Sequence, residues 1–177
     1  MSGHSKWSQI KHQKGVTDAK KSQMFSKLAK VISVAARKGG DPATNAELRA
    51  AIEKAKSINM PLDNIERAIK KGSGKAEGSQ LENVRYEAYD PAGVAMIIEA
   101  ITDSKNRSLA EIRHILSEHG AKLSEPGSVL WAFEYKNGKW EPKNTLELSE
   151  TDAQSLDKLL EALDEHDDVQ EIYTNAL

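Results

Sequence analysis

Across Gly72-Ser-Gly-Lys-Ala-Glu-Gly-Ser79 the chain changes its apolar period, and this limits what it can fold into more than any other feature. Before this stretch apolar residues recur every three to four positions, as on one face of a helix. After it they alternate or run continuously, as in strands. Glycine and serine are linker residues, because they leave the backbone free and bury nothing. The pattern predicts a helical module over 1–74, a linker over 75–80 and an α+β domain over 81–177.

Charge divides at the same place. Residues 1–75 hold 16 Lys+Arg against 6 Asp+Glu, a net charge of +10, whereas residues 76–177 are net −12. The overall −2 hides this contrast. A basic module joined to an acidic one is expected of a protein that meets a polyanion with one module only. The plainer alternative is that both charged surfaces are simply solvated.

Within the basic module, Phe25, Leu28, Ile32 and Ala35 mark a first helix starting at Asp18, read as its N-cap, and stopped by Gly39-Gly40. A second is expected over Ala43–Ser57, on the stripe Leu48, Ala51, Ile52 and Ala55. A third starts at Pro61, faces Leu62, Ile65 and Ile69 inward, carries Lys70 and Lys71 at its negative end, and stops at Gly72. Beyond the linker, Val84–Tyr89, Val94–Ile101, Val129–Tyr135 and a segment around Val169–Tyr173 read as strands. Helices carry Leu109, Ile112, Ile115 and Leu116, and then Leu156, Leu159, Leu160 and Leu163. The order ββαβαβ predicts a mostly antiparallel four-stranded sheet with two helices. Asn137-Gly138 is a strong signal for a type I′ hairpin turn.

Little in the chain suggests catalysis. With no cysteine there is no disulfide, thiolate metal site or thiol nucleophile. The linker resembles a phosphate-binding loop only faintly: its glycine spacing is wrong, Ala76 replaces the needed Ser or Thr, and it follows a helix. His114 and His119 are five residues apart, which does not suit chelation on a helix. Asp164, Glu165, Asp167 and Asp168 read as solvated acidic surface. No catalytic residue, metal or cofactor is expected. The polar N-terminus, Met-Ser-Gly-His-Ser-Lys-Trp, lacks a signal core, so a cytoplasmic protein with no membrane association is expected.

The candidate binding residues all lie in the basic module. Lys6, Lys11, His12 and Lys14 surround Trp7 in an N-terminal arm, and Lys20, Lys21, Lys27, Lys30, Arg37 and Lys38 follow on or just after the first helix. The cations suit phosphates, and an exposed indole can stack on an unpaired base. Alternatively, Trp7 packs on the helices and anchors the arm. DNA and rRNA are both open as partners, and the oligomeric state is not legible.

Gly3-His-Ser-Lys-Trp7, Ile10-Lys-His12, Asp18 with Lys20, and Asn59-Met-Pro-Leu-Asp-Asn-Ile-Glu-Arg-Ala-Ile-Lys-Lys-Gly72 together resemble the YebC family, which includes the mitochondrial translational activator of cytochrome oxidase subunit I. Asp41-Pro42, Tyr86-Glu87, Asn106-Arg107, Gly127-Ser128-Val129 and Asp167-Asp-Val-Gln170, with Tyr173 and Asn175, extend the resemblance over nearly the whole chain. It implies a non-enzymatic, DNA-binding transcriptional regulator. It also keeps open a ribosome-associated translational activator that binds rRNA; the charge split separately leaves open an adaptor that binds a protein through its acidic domain. Members of that family usually carry a third domain inserted in the second. Here Lys136–Lys143 stands in its place as a short hairpin, which puts any activity of that insert in doubt. Gln13 stands where a basic residue is common, removing one expected phosphate contact.

Overall fold

The computed structural model describes residues 17–74 and 80–177. The chain divides into two compact units, Val16–Glu82 with Ile101–Ser104, and Asn83–Ala100 with Lys105–Leu177.

The helical unit is built from α1 (Asp18–Ala36), α2 (Ala46–Ser57) and α3 (Leu62–Ser73). Thr17, not Asp18, caps α1: its side chain accepts from the Lys20 amide, while Asp18 adds negative charge to the positive first turn. The second helix starts at Ala46, three residues later than its apolar stripe suggested, because Asn45 takes the cap. Its Oδ1 accepts from the Leu48 amide (3.1 Å) while its Nδ2 donates to the carbonyls of Ala35 and Gly39 (2.8 and 2.9 Å). One buried amide thus starts α2 and satisfies the end of α1. Leu62, expected to face inward, is 60% exposed in the first turn of α3. Gly72 does not end α3 but lies inside it, where its backbone packs against that of Ser33 on α1. The core is Leu28, Ile32, Ala35, Ala36, Leu48, Ala51, Ala55, Met60, Ile65 and Ala68. Its many alanines let the helices approach closely.

The second unit has the expected α+β class. Strands β1 (Glu82–Tyr89), β2 (Ala95–Thr102), β3 (Lys122–Ser124) and β6 (Val169–Thr174) form a sheet in the order β3-β1-β2-β6. β1 pairs antiparallel with β3, and β2 with β6. Helices α4 (Lys105–Glu118) and α5 (Glu150–Asp164) supply Ile112, Leu116, Leu156, Leu159, Leu160 and Leu163 to a core containing Met96 and Ile98. The other side chains of β2, Ala95 and Ile97, join Val129, Ala132, Phe133 and Tyr173 in a second cluster. Burial on both faces explains why β2 reads as a continuous apolar run.

The third strand differs from its expected position. Val129–Tyr135 does not enter the sheet. Leu130–Ala132 forms a 3₁₀ turn, and β4 (Phe133–Lys136) pairs with β5 (Lys139–Pro142) in a separate two-stranded ribbon. The three-residue β3 takes the sheet position instead, a segment too short and polar to show a strand period. The ribbon turns at Asn137 and Gly138, with φ of 50° and 78°, as a type I′ turn requires.

Candidate nucleic-acid interface

Cations on α1 are sorted by the helical repeat of about 100° per residue. Lys20 and Lys27 point the same way to within about 20°, and Lys30 lies about 60° further round. Lys21 points toward the side of Leu28 and Ile32, and is exposed because it sits in the first turn. Arg37 and Lys38 follow the helix and are engaged within the chain. Arg37 donates to the Leu81 carbonyl and to Gln80 Oε1, and Lys38 pairs with Glu47 at 2.7 Å. Lys6, Trp7, Lys11, His12 and Lys14 lie outside the described residues.

Helix packing also forms a groove that no sequence period shows. α1 contributes Ser22, Phe25, Ser26, Ala29, Lys30 and Ser33; α3 contributes Asn64, Arg67, Ala68 and Lys71; Met60 and Leu81 complete it. The α3 residues fall at i, i+3, i+4 and i+7, one stripe of a helix. The groove encloses about 390 Å³. Phe25, Ala29, Met60 and Ala68 make its floor continuous with the core. Arg67 and Lys71 are exposed and Lys30 half-buried, and no carboxylate is among the described residues that line the groove. Lys30 was the one groove cation among the sequence candidates. Arg67 and Lys71 were missed because a second helix, not proximity in the chain, brings them opposite it. The contact of Arg37 with Gln80 and Leu81 holds the chain where Leu81 lines the groove.

In the second unit, the distinctive polar residues bind backbone and each other. Glu87 is buried and accepts from the amides of Gly127 (2.8 Å) and Val129 (3.0 Å), which fixes that turn against β1. Asn175 accepts from the Ala95 amide and donates to the Asn144 carbonyl, each at 2.8 Å. The acidic stretch after α5 is not all solvated surface, contrary to expectation: Asp164 and Asp168 are buried. Asp168 receives Arg107 at 2.7 Å, and the same guanidinium reaches Glu111 at 2.8 Å. Glu111, His166 and Asp168 place one ligand-type atom each within 4.8 Å of one another, a spacing that could suit a metal. However, Arg107 already pairs with both carboxylates, and His166 Nδ1 accepts from the Asp168 amide at 3.2 Å, leaving Nε2 facing Glu111 at 2.7 Å. The group reads as a cross-link between α4 and the turn leading into β6.

Two carboxyls are shifted upward. Burial does most of this for Glu99, reinforced by Glu171 and opposed by the Trp140 indole and Arg85. Asp90 is raised mainly by burial, against the backbone amides that it accepts in the β1–β2 turn. Among the described residues no helix is long and apolar enough to cross a membrane.

Comparison with known proteins covers the same two units. Residues 5–75 match the profile described as the TACO1/YebC protein N-terminal domain, and residues 81–138 and 136–176 match that of the TACO1/YebC second and third domain. A probable transcriptional regulatory protein of Petrotoga mobilis is 51% identical over 176 residues, covering 98% of this chain and 70% of that relative. Another of the same description, from Kosmotoga olearia, is 42% identical over 236 positions, covering 99% of this chain and 94% of its own length. That alignment is longer than the 177 residues here, so the relative carries residues this chain lacks. The family match breaks at 136–138, the tip of the β4–β5 ribbon. The crystal structure of a conserved hypothetical protein from Aquifex aeolicus superposes with a TM-score of 0.83 at 34% identity, covering 94% of this chain and 96% of that one.

Proposed function

Since the chain belongs to the TACO1/YebC family, whose matched relatives are described as probable transcriptional regulatory proteins, we propose that it is a non-enzymatic cytoplasmic regulator that grips nucleic acid, DNA in the first instance, through its helical unit. The observation that carries this is the convergence of Lys30, Arg67 and Lys71 on one groove, with no carboxylate among the described residues that line it. Three cations brought together on one groove favour an anion there, and a phosphate backbone that meets them releases condensed counterions. Lys20 and Lys27, alongside Lys30 on α1, extend this surface, and the basic residues of the arm add to the same net charge. The acidic domain is unsuited to a polyanion and serves as the scaffold or the contact for other partners.

The test is binding of the full-length protein to naked DNA, followed by fluorescence anisotropy at rising salt. The slope of log K against log salt should be about −0.9 for each phosphate neutralised on duplex DNA, hence near −5 for about six contacts. A slope near zero, or no binding, contradicts the assignment. Co-sedimentation with ribosomes together with weak DNA binding would instead assign the grip to rRNA and the role to translation.

A further inference from the structure

We propose that the α1–α3 groove holds one unpaired nucleotide, with its base on the Phe25 floor and its phosphates on Lys30, Arg67 and Lys71, so that the protein selects single-stranded over duplex nucleic acid. This rests on the reading that the helical unit grips nucleic acid. It adds which form is gripped and why.

The shape of the site is the first reason. A protein that reads duplex DNA presents a protruding helix or ribbon to a groove of the double helix. Here the cations flank a cleft between two helices. A volume of about 390 Å³ lies at the small end of the range for pockets that hold small ligands, and suits one base with its sugar. The floor is the second reason. Phe25, Ala29, Met60 and Ala68 are apolar, and a phosphate gains nothing from them. A base does, because it has an apolar face that stacks on an aromatic ring whatever its sequence. Above that floor Asn64, Ser22 and Ser26 supply donors and acceptors suited to a base edge or sugar, while Ser33 is engaged with the Ala68 carbonyl (2.9 Å). The cations complete the set by charge complementarity: Arg67 and Lys71 lie one turn apart on α3, and Lys30 faces them from α1. In a duplex the base must first be flipped out, losing its pairing and stacking. In a single strand it is already available.

Competition binding of the full-length protein tests this, using unstructured oligo-uridine and oligo-deoxythymidine strands against mixed duplexes of equal length. The expected result is about tenfold or greater preference for the single strands; comparing the two strands shows whether ribose or deoxyribose is favoured. Phe25→Leu keeps apolar volume but removes the ring, and should weaken single-strand binding roughly 5- to 100-fold with the salt slope and duplex binding little changed. Phe25→Tyr should retain the preference. Ser26→Leu, at an exposed rim position, should block the groove and abolish the preference without touching the core, which keeps the test decisive if Phe25→Leu unfolds. Equal or better duplex binding by the wild type, wild-type behaviour of both Phe25→Leu and Ser26→Leu, or stronger competition by an acidic peptide than by the single strands would each overturn the proposal. If the wild type binds both nucleic-acid forms equally and Arg67→Ala and Lys71→Ala weaken both, the grip stands and the single-strand selection falls. If the wild type binds no nucleic acid at all, the underlying reading falls with it.

Discussion

Gly72 lies so close to Ser33 that a Cβ on the glycine would sit 2.0 Å from the Ser33 carbonyl oxygen. This contact, on the same side as the hydrogen bond from Ser33 Oγ to the Ala68 carbonyl, sets the separation of α1 and α3 and therefore the width of the groove. The obstacle is backbone, so it cannot swing aside. Gly72→Ala should destabilise the protein by about 2–3 kcal/mol despite alanine's better helix propensity. Denaturant unfolding checks this; a neutral or stabilising result would show that the helices are free to separate.

Glu99 offers a pH-dependent test. Its carboxyl is raised because burial disfavours the charged form, and it accepts from Trp140 Nε1 at 3.1 Å opposite Glu171 on β6. The folded protein then holds the Glu99 proton more tightly than the unfolded chain. Stability from this group is fully present below the unfolded pKa of about 4.3 and is lost as pH rises through the higher folded value. Glu99→Gln keeps an acceptor for the indole and removes the charge. The variant's stability advantage should be smallest at acid pH, grow as pH rises through the folded value and level off above it. An advantage independent of pH contradicts this account.

Arg107 and Asp168 behave differently, because removing Arg107 takes an ion-pair partner from the buried Asp168 carboxylate. Asp168 is 2% exposed, and its carboxylate is held by a guanidinium itself open to water on one side. Arg107→Ala should cost about 2–3 kcal/mol, below the roughly 3–5 kcal/mol for breaking a fully buried pair. Adding Asp168→Asn should recover part of the loss. Thermal unfolding of the two variants checks both signs, and no recovery in the double variant would remove the charge from the explanation.

The elements with strong apolar periods were legible in the sequence. Phe25, Leu28 and Ile32, the unbroken Val94–Ile98 run and the leucines of α5 gave helices and a buried strand, and Asn137-Gly138 gave the ribbon turn. Residues whose role depends on a distant partner were not legible. Gly72 reads locally as a helix stop, and only Ser33 shows why it is glycine. Asp168 reads as surface until Arg107 arrives from α4. Lys122–Ser124 has too few residues to show a period, so the apolar Val129–Tyr135 took its place in the expected sheet. Several residues that carry the family resemblance, Glu87, Arg107, Asp168 and Asn175, turn out to hold the fold together. Of the candidate site, α1 supplied Lys30, but Arg67 and Lys71 needed the α1–α3 packing.

Cations near the end of α1 separate charge from location. Arg37 and Lys38 add as much positive charge as Arg67 and Lys71, yet Arg37 is held by Gln80 and Leu81, and Lys38 by Glu47. Arg37→Ala and Lys38→Ala should leave the salt slope of nucleic-acid binding unchanged, although Arg37→Ala should loosen the chain at Leu81. Anisotropy titrations across salt check this, and a slope change as large as that of Arg67→Ala would place Arg37 among the phosphate contacts.

The most direct measurement compares the salt dependence of nucleic-acid binding by the wild type with that of Lys30→Ala/Arg67→Ala/Lys71→Ala in the full-length protein. Each lost phosphate contact removes about 0.7 from the slope on a single strand and about 0.9 on duplex DNA. The triple variant should therefore bind more weakly and with a slope shallower by roughly 2–3, while remaining folded. An unchanged affinity and an unchanged slope would contradict the assignment of the α1–α3 groove as the nucleic-acid grip.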